Sequence, residues 1–244
     1  AKVSEYMRKG KNYSDLAVYM PLEDAWMGGA YPDSMRKVKA FFWGQYEMRF
    51  INTPDAYKGM QPLWVNEHFL KSATYKKGLL HCGASDFKAL YCDVDYMEIS
   101  ALKEIIRLAK EGLPVILARA PKEPGKVKHP EYGSLVNELV KLSQGAKFTT
   151  SPLIEGENLP DFWVRQDGSA YYVFVANPLT QTIEYPLDYG YAFTDKGAVR
   201  HITVNHHGKS EKYTLTFKPM ESLLLKIDAS GIHQIDLGYE PKRI

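Results

Sequence analysis

The chain has few cysteines, no long apolar run and no excess of charge of one sign. Only Cys82 and Cys92 occur among its 244 residues, too few for a disulfide framework or a zinc site. No apolar run approaches the roughly 20 residues that a membrane-spanning helix needs. The 31 lysines and arginines nearly balance the 29 aspartates and glutamates, so no net field recruits nucleic acid or an anionic membrane. We therefore expect neither of these as a partner.

Glycine-rich phosphate loops are also missing from the sequence. Neither a G-x-G-x-x-G pattern nor a Walker-type loop occurs anywhere in the chain, and both are typical of nucleotide-binding α/β proteins. The loop after Val94 carries Asp95 and Glu98 instead, and such an acidic loop disfavours phosphate. We predict no cofactor and no metal site.

The first residues carry no recognisable targeting signal. The chain begins Ala1-Lys-Val-Ser, without an initiator methionine, a charged region or an apolar region. We expect a processed chain or an excised piece of a longer one.

The most informative stretch is residues 89–118, which predicts a strand, a helix and a second strand. Its apolar residues fall at i, i+3, i+4 and i+7 from Leu102, as on one face of a helix. Ser100 is a plausible N-cap and Gly112 a C′ glycine. The flanking runs Leu90–Val94 and Leu113–Ala118 are uninterrupted and apolar, as in strands of a buried parallel sheet. The unit predicts an open α/β layer with a right-handed crossover.

The remainder of residues 1–150 extends this layer. A short helix closed by Gly10 leads into a strand at Leu16–Pro21, and Leu22–Gly59 forms a long irregular stretch rich in aromatic residues. Such a long loop is usually functional or covers a neighbouring part of the protein. Helices are predicted at Pro62–Ala73 and Pro130–Leu142, with a strand near Leu79–Cys82.

After residue 151 the pattern changes to short strands separated by turn residues. The sequence predicts a hairpin of Asp161–Gln166 and Ala170–Ala176 around Asp167-Gly168. This spacing favours a small antiparallel sandwich, so we place the domain boundary between 1–150 and 151–244. Further strands are predicted at Thr182–Tyr185, Val199–Val204, Lys212–Phe217, Ser222–Ile227 and Gln234–Leu237.

No single catalytic constellation stands out among the reactive side chains. A thiol nucleophile needs a tight strand-to-helix elbow and a histidine base, but no helix starts at Cys82 and Cys92 lies inside a strand. Buried free thiols are therefore predicted. Glycoside hydrolysis needs two carboxyl groups at a fixed separation, which a sequence does not show. The available carboxylates are Glu23, Asp24, Glu47, Glu67, Asp93, Asp95 and Glu98. The histidines His68, His81, His206 and His207 have no metal-ligand spacing.

Several segments together resemble a known family. They are Tyr6–Gly10, Asp15–Pro21, Gln61–Leu70, Gly78–Leu80, Leu113–Leu117 and Leu215–Lys226. Together they resemble the region that follows the catalytic barrel in large bacterial α-L-rhamnosidase-like glycoside hydrolases. The resemblance implies a flavodoxin-like or amidotransferase-like open parallel sheet without amidotransferase catalysis, followed by a small antiparallel β-sandwich.

The resemblance also implies a function. The chain would be the accessory C-terminal portion of a carbohydrate-active hydrolase, with no catalytic residue of its own and a periplasmic or secreted location. Its partner would be an upstream catalytic barrel of the same polypeptide, with carbohydrate as an additional partner. If the irregular stretch faces that barrel, the rings of Trp26, Phe41, Phe42 and Trp43 should form an exposed apolar patch. The residues expected to line the cleft or face the partner are Glu23, Trp26, Trp43, Glu47, Arg49, Trp64, Asn66 and Glu67.

Two alternatives remain open from the sequence. The chain could be a stand-alone thiol or carboxylate hydrolase built on the same sheet. It could also be a carbohydrate-binding module that uses aromatic rings of the sandwich, such as Trp163, Tyr171 or Tyr191. Rings of this kind serve as stacking platforms for sugars, although core packing is the more frequent role for aromatic residues.

Overall fold

The structure is a computed structural model, and it describes residues 2–28, 54–145, 148–179 and 196–238. The helices within these ranges are α1 Lys2–Tyr6, α2 Leu22–Gly28, α3 Asp55–Lys58, α4 Glu67–Ser72, α5 Ile99–Lys110 and α6 Tyr132–Gly145. The strands of the same ranges are β1 Lys11–Asn12, β2 Leu16–Tyr19, β3 Leu63–Val65, β4 Thr74–Lys76, β5 Leu79–Cys82, β6 Ser85–Phe87, β7 Ala89–Cys92, β8 Val115–Leu117, β9 Ile154–Glu155, β10 Phe162–Asp167, β11 Ala170–Val175, β12 Ala198–His206, β13 Lys209–Phe217, β14 Leu223–Asp228 and β15 Gly231–Gln234.

The chain divides into two compact units. Residues 14–54 and 62–150 form the α/β unit, and residues 1–13, 55–61 and 151–244 form the β unit. A division near residue 151 is present, but residues 1–13 and 55–61 group with the second unit, unlike the consecutive halves that we predicted. These two segments belong to the β unit because strand pairing and side-chain hydrogen bonds connect them to it. β1 pairs with β10, and the Gln61 side chain donates to the Tyr13 carbonyl at 2.6 Å.

The α/β unit contains a parallel sheet with the strand order β3-β2-β7-β8. Ala17 pairs with Leu63 on one side and with Leu90 on the other, and Leu90 also pairs with Val115. Every residue of β2 and β7 is buried, as expected for central strands covered on both faces. The mixed α/β fold with a parallel sheet is confirmed. None of the described helices is long and apolar enough to span a membrane.

The unit β7-α5-β8 follows the predicted pattern closely. The buried face of α5 includes Leu102, Ile105 and Ile106. Gly112, with φ of 107°, donates to the Ala109 carbonyl, and Leu113 donates to the Leu108 carbonyl, each at 3.0 Å. These two bonds form a Schellman motif, which confirms the C′ glycine.

The prediction of Ser100 as the N-cap of α5 is wrong. The N-cap is Glu98, whose extended backbone precedes the helix without a side-chain capping bond. Because α5 already begins at Ile99, Ser100 lies within its first turn. Glu98 still lies where a carboxylate favours the positive end of the helix dipole.

The predicted helix Pro62–Ala73 is also wrong in its first half. Leu63–Val65 forms β3, because it pairs in parallel with Ala17–Tyr19. The helix α4 starts only at Glu67, where the Asn66 side chain accepts a hydrogen bond from the Phe69 N–H. The strands β4, β5 and β6 then form a small antiparallel sheet. The stretch Leu22–Gly59, which we predicted to be irregular, contains the helices α2 and α3.

The β unit contains two antiparallel sheets, with the orders β1-β10-β11-β14-β15 and β13-β12-β9. Residues of both sheets, such as Val173 and Leu225 from one and Val204 and Phe217 from the other, belong to one buried cluster. This arrangement is that of a small sandwich.

The hairpins of the β unit differ from the predictions in detail. The turn of the first hairpin consists of Gly168 and Ser169, because Asp167 already pairs with Ala170. The last strand among the described residues is Gly231–Gln234 rather than Gln234–Leu237, since it pairs with β14 through a tight turn. The predicted strand Thr182–Tyr185 lies outside the described residues.

Candidate functional site

The candidate ligand site of the parallel sheet lies at the carboxyl ends of β2 and β7. The chain leaves β2, forms β3 on one side of it, and then returns to form β7 on the other side. Ligands of open α/β sheets bind at such a switch in strand order. The segment after β2 carries Glu23, Asp24 and Trp26 on α2, and the segment after β7 carries Asp93–Glu98.

Glu23 is a buried carboxyl group with one unsatisfied oxygen. Its exposed fraction is 4 %, and its Oε1 accepts hydrogen bonds from the Tyr19 hydroxyl at 2.7 Å and the Glu98 N–H at 3.3 Å. Its Oε2 is buried without a hydrogen-bond partner among the described residues. Burial raises the pKa of Glu23, and burial with the nearby Glu23 carboxylate raises the pKa of Tyr19. Desolvation of the buried carboxyl group is the largest cause of the raised pKa of Glu23.

Asp24 has a structural role in the same helix. Its Oδ1 accepts from the Asp95 N–H at 3.0 Å and from the Tyr96 N–H at 2.7 Å, and its Oδ2 accepts from the Asp95 N–H at 3.0 Å. A buried carboxylate that binds backbone N–H groups in this way fixes the loop after β7 relative to α2. Both carboxylate oxygens of Asp24 are thus engaged by backbone N–H groups.

Asp93 and Asp95 are both engaged by one arginine. The Arg119 guanidinium, two residues after β8, contacts Asp93 at 2.6 Å and Asp95 at 2.8 Å. The pair with Asp95 is about half exposed, and exposed pairs of this kind contribute little to stability. Their geometric effect is to join the loops that follow β7 and β8.

Glu67 contrasts with Glu23 in its ionisation. It begins α4 after β3, lies 2.8 Å from the Lys71 ammonium, and also hydrogen-bonds the Ser100 side chain. The bond to Lys71 is the largest of the effects that lower the pKa of Glu67. Its charge contributes to the raised pKa of Tyr19, as the charge of Glu23 does. The pKa of Glu23 is thus raised and that of Glu67 is lowered.

Two tryptophans near this edge are accessible within their unit. Trp26 on α2 has an exposed fraction of 66 % and Trp64 on β3 one of 40 %. Next to Trp26, the Met27 sulfur accepts a hydrogen bond from the Gly125 N–H at 3.2 Å. The predicted site residues Trp43, Glu47 and Arg49, and the patch residues Phe41 and Phe42, lie outside the described residues.

Glu23 and Glu67 both contribute electrostatically to the raised pKa of Tyr19, whereas the Asn66 side chain caps α4. Sequence reasoning missed Tyr19 and Arg119. Tyr19 is the last residue of the central strand, a position at which a polar group reaches the ligand edge of the sheet. That position is a signal that could have found it.

The cysteines are free and buried, which confirms the prediction for both. Burial raises the pKa of Cys82 to about 11 and raises that of Cys92 as well. Such thiols are poor nucleophiles near neutral pH. Cys82 lies in the small antiparallel sheet and Cys92 at the end of β7.

The histidines are scattered through the structure. His81 lies 2.7 Å from Asp86, and the buried His206 lies 3.5 Å from Glu211. Across the part of the chain that the structure describes, no group of three or more histidine, cysteine, aspartate or glutamate residues could hold a metal ion.

The fold and site define a two-unit protein with a mixed α/β unit and an antiparallel β unit. Comparison with protein families finds no family model that matches the chain, and comparison with curated proteins finds no match.

Proposed function

We propose that this chain is the accessory C-terminal portion of an α-L-rhamnosidase-like glycoside hydrolase, which walls or buttresses the cleft of a catalytic barrel. The observation that carries the proposal is the exposed indole of Trp26, one helical turn after the buried Glu23, at the ligand edge of the sheet. Indole rings at such an edge suit contact with a protein partner or a sugar ring.

The strand order supports the fold part of the proposal. The order β3-β2-β7-β8 corresponds to 2-1-3-4 when the strands are counted along the chain. Flavodoxin-like sheets have the order 2-1-3-4-5. This strand order supports the proposed flavodoxin-like class of the α/β unit.

The engagement of the acidic side chains supports an accessory role. Asp24 accepts backbone hydrogen bonds, Asp93 and Asp95 pair with Arg119, and Glu67 pairs with Lys71. A retaining or inverting glycosidase needs one carboxyl group for acid catalysis and another as nucleophile or base. Most of these carboxylates instead hold loops and helix ends in place.

The first experiment measures release of nitrophenol from nitrophenyl α-L-rhamnoside and nitrophenyl β-D-galactoside by the purified chain. We expect no release above the rate without protein. Turnover that persists through repurification and disappears in Glu23→Gln or Glu67→Gln would overturn the accessory role.

The second experiment tests the partner. The coding frame upstream of Ala1 should encode a barrel-sized segment, which is then produced separately and mixed with this chain. We expect Trp26→Ser to weaken the association. Trp163→Ser is the matched control, since Trp163 is exposed by 41 % on the β unit. An upstream frame without such a segment, or equal binding by both variants, would contradict the proposal.

A stand-alone carboxylate hydrolase is the second candidate, and one observation favours it. The pKa of Glu23 is raised and that of Glu67 is lowered, and the charges of both contribute to the raised pKa of Tyr19. Opposed pKa shifts in a pair of carboxyl groups are typical of an acid and base pair. The loss of turnover in both glutamine variants is the result that would establish this candidate.

A further inference from the structure

A polar cleft in the β unit is separate from the site described above. Its volume is about 890 Å³, within the range of small-molecule sites. Three parts of the unit line it: the helix α3, the loop between β9 and β10, and the residues after β11, with Arg200 of β12 in addition. The lining residues that carry the argument are Asp55, Lys58, Glu157, Asp161, Arg200 and Pro178.

Internal hydrogen bonds hold the walls of this cleft. The Lys58 ammonium donates to the Leu159 carbonyl at 2.6 Å and lies 3.3 Å from the Asp161 carboxylate. The buried Asn177 amide donates to the Glu221 carbonyl at 2.8 Å, and its oxygen accepts from the Leu179 N–H at 2.9 Å. The cleft is therefore largely preorganised, which lowers the entropy cost of binding.

Arg200 supplies a cation to the lining. Its Nη1 donates to the Val199 carbonyl at 2.9 Å, and its Nε is buried without an acceptor among the described residues. Because this Nε is inaccessible, a ligand oxygen would accept from the remaining guanidinium N–H groups of this half-buried side chain.

The charges of the lining restrict the ligand. Lys58 and Asp161 largely neutralise one another at 3.3 Å, which leaves the guanidinium of Arg200 and the carboxylates of Asp55 and Glu157. An anionic ligand would be repelled by two carboxylates while attracted by one guanidinium. A hydroxyl group both accepts and donates, so neighbouring hydroxyls can bind the guanidinium and the carboxylates together.

From this arrangement we propose that the cleft binds a neutral saccharide. Its hydroxyls accept from Arg200 and donate to Asp55 and Glu157, and its C–H surface packs on the apolar lining residues Leu159 and Pro178. The proposal does not depend on the function assigned to the α/β unit, because every lining residue belongs to the β unit.

The test uses the full chain and saturation-transfer NMR followed by calorimetry. The neutral probes are L-rhamnose, D-galactose, D-glucose and their disaccharides, and the anionic probes are D-galacturonate and inorganic phosphate. We expect at least one neutral saccharide to bind and the anions to bind more weakly. Arg200→Met should weaken binding by about tenfold or more, since hydrogen bonds to charged groups contribute about 1.5–3 kcal/mol.

Lys212→Met is the matched control, because Lys212 is an exposed cation on the neighbouring strand β13 outside the cleft. It should bind as the unaltered chain does. If circular dichroism shows that Arg200→Met does not fold, Glu157→Ala in the exposed loop replaces it and should also weaken binding. No binding by any neutral probe, tighter binding of either anion, or equal binding by the cleft variant and Lys212→Met would overturn the proposal.

Discussion

The Tyr19 hydroxyl donates a hydrogen bond of 2.7 Å to Oε1 of Glu23, and both side chains are buried at the carboxyl end of the central strand. The bond satisfies one oxygen of the carboxyl group and leaves the other without a partner among the described residues. Because burial dominates, the pKa of Glu23 is raised. Tyr19 and Glu23 thus form a buried polar pair whose ionisation is coupled to the stability of the α/β unit.

The first prediction concerns the pH dependence of that stability. A glutamate with a raised folded-state pKa opposes folding once the unfolded chain loses its proton. The free energy of unfolding should fall as pH rises from the ordinary pKa of glutamate, about 4.3, through the raised pKa of Glu23. Glu23→Gln removes the ionisable group and with it this pH-dependent contribution to the free energy of unfolding. The variant should therefore gain stability relative to the unaltered chain as pH rises.

Hydrogen exchange of the β2 and β7 amides at several pH values measures this difference. Glu138→Gln provides the control, because Glu138 is an accessible residue of α6 that pairs with Lys110. Parallel pH profiles for the unaltered chain and Glu23→Gln would contradict the prediction.

The second prediction concerns Asp24, whose carboxylate accepts from the N–H groups of Asp95 and Tyr96. Asp24→Ala leaves buried donors unsatisfied and should destabilise the α/β unit by about 2–4 kcal/mol. Asp24→Asn keeps one acceptor oxygen, so it should destabilise the unit less than Asp24→Ala does. Asp95→Ala removes only the accessible pair with Arg119, and about 0–1 kcal/mol is expected. The free energies of unfolding of the three variants can be ranked by urea unfolding. A loss of stability for Asp95→Ala as large as that for Asp24→Ala would count against this account.

The third prediction concerns the two thiols. Because burial raises the pKa of Cys82 to about 11 and also raises that of Cys92, the native chain should react slowly with iodoacetamide at neutral pH. Both cysteines should react readily in denaturant, as mass spectrometry can follow. Cys92→Ala should cost on the order of 1 kcal/mol through lost packing. Rapid alkylation of the native chain at low pH would show a reactive thiolate instead.

The fourth prediction concerns Gly59 in the β unit. A Cβ atom at this position would overlap the Ile154 carbonyl oxygen and lie 2.9 Å from the Pro152 Cβ. Gly59→Ala should therefore destabilise the β unit by about 3 kcal/mol. At Gly133 in α6 a Cβ atom meets nothing within 4 Å, so Gly133→Ala should be neutral or stabilising by up to about 1 kcal/mol. Thermal unfolding distinguishes the two alanine variants, and equal unfolding midpoints would refute the steric argument.

The helix α5 shows what local pattern can determine. The 3.6-residue apolar period, the Gly112 terminus and the apolar runs on either side are properties of adjacent residues, and all are present in the structure. Residues 62–66 show the limit of local pattern. Their sequence suits a helix start, but pairing with β2 makes Leu63–Val65 a strand, because tertiary pairing overrides weak intrinsic preference.

The candidate site divides in the same way. The sequence by itself determined the residue types at the strand ends, the mixed α/β class, the antiparallel strands after residue 151 and the buried state of both cysteines, since these follow from composition and short-range periodicity. Only the tertiary structure decided that residues 1–13 and 55–61 join the β unit, that Asp24 holds a distant loop, and that Glu23 and Glu67 have opposed pKa shifts. Burial and hydrogen bonding depend on neighbours that are 70 or more residues away for Asp24 and Glu23, and no local pattern encodes those distances.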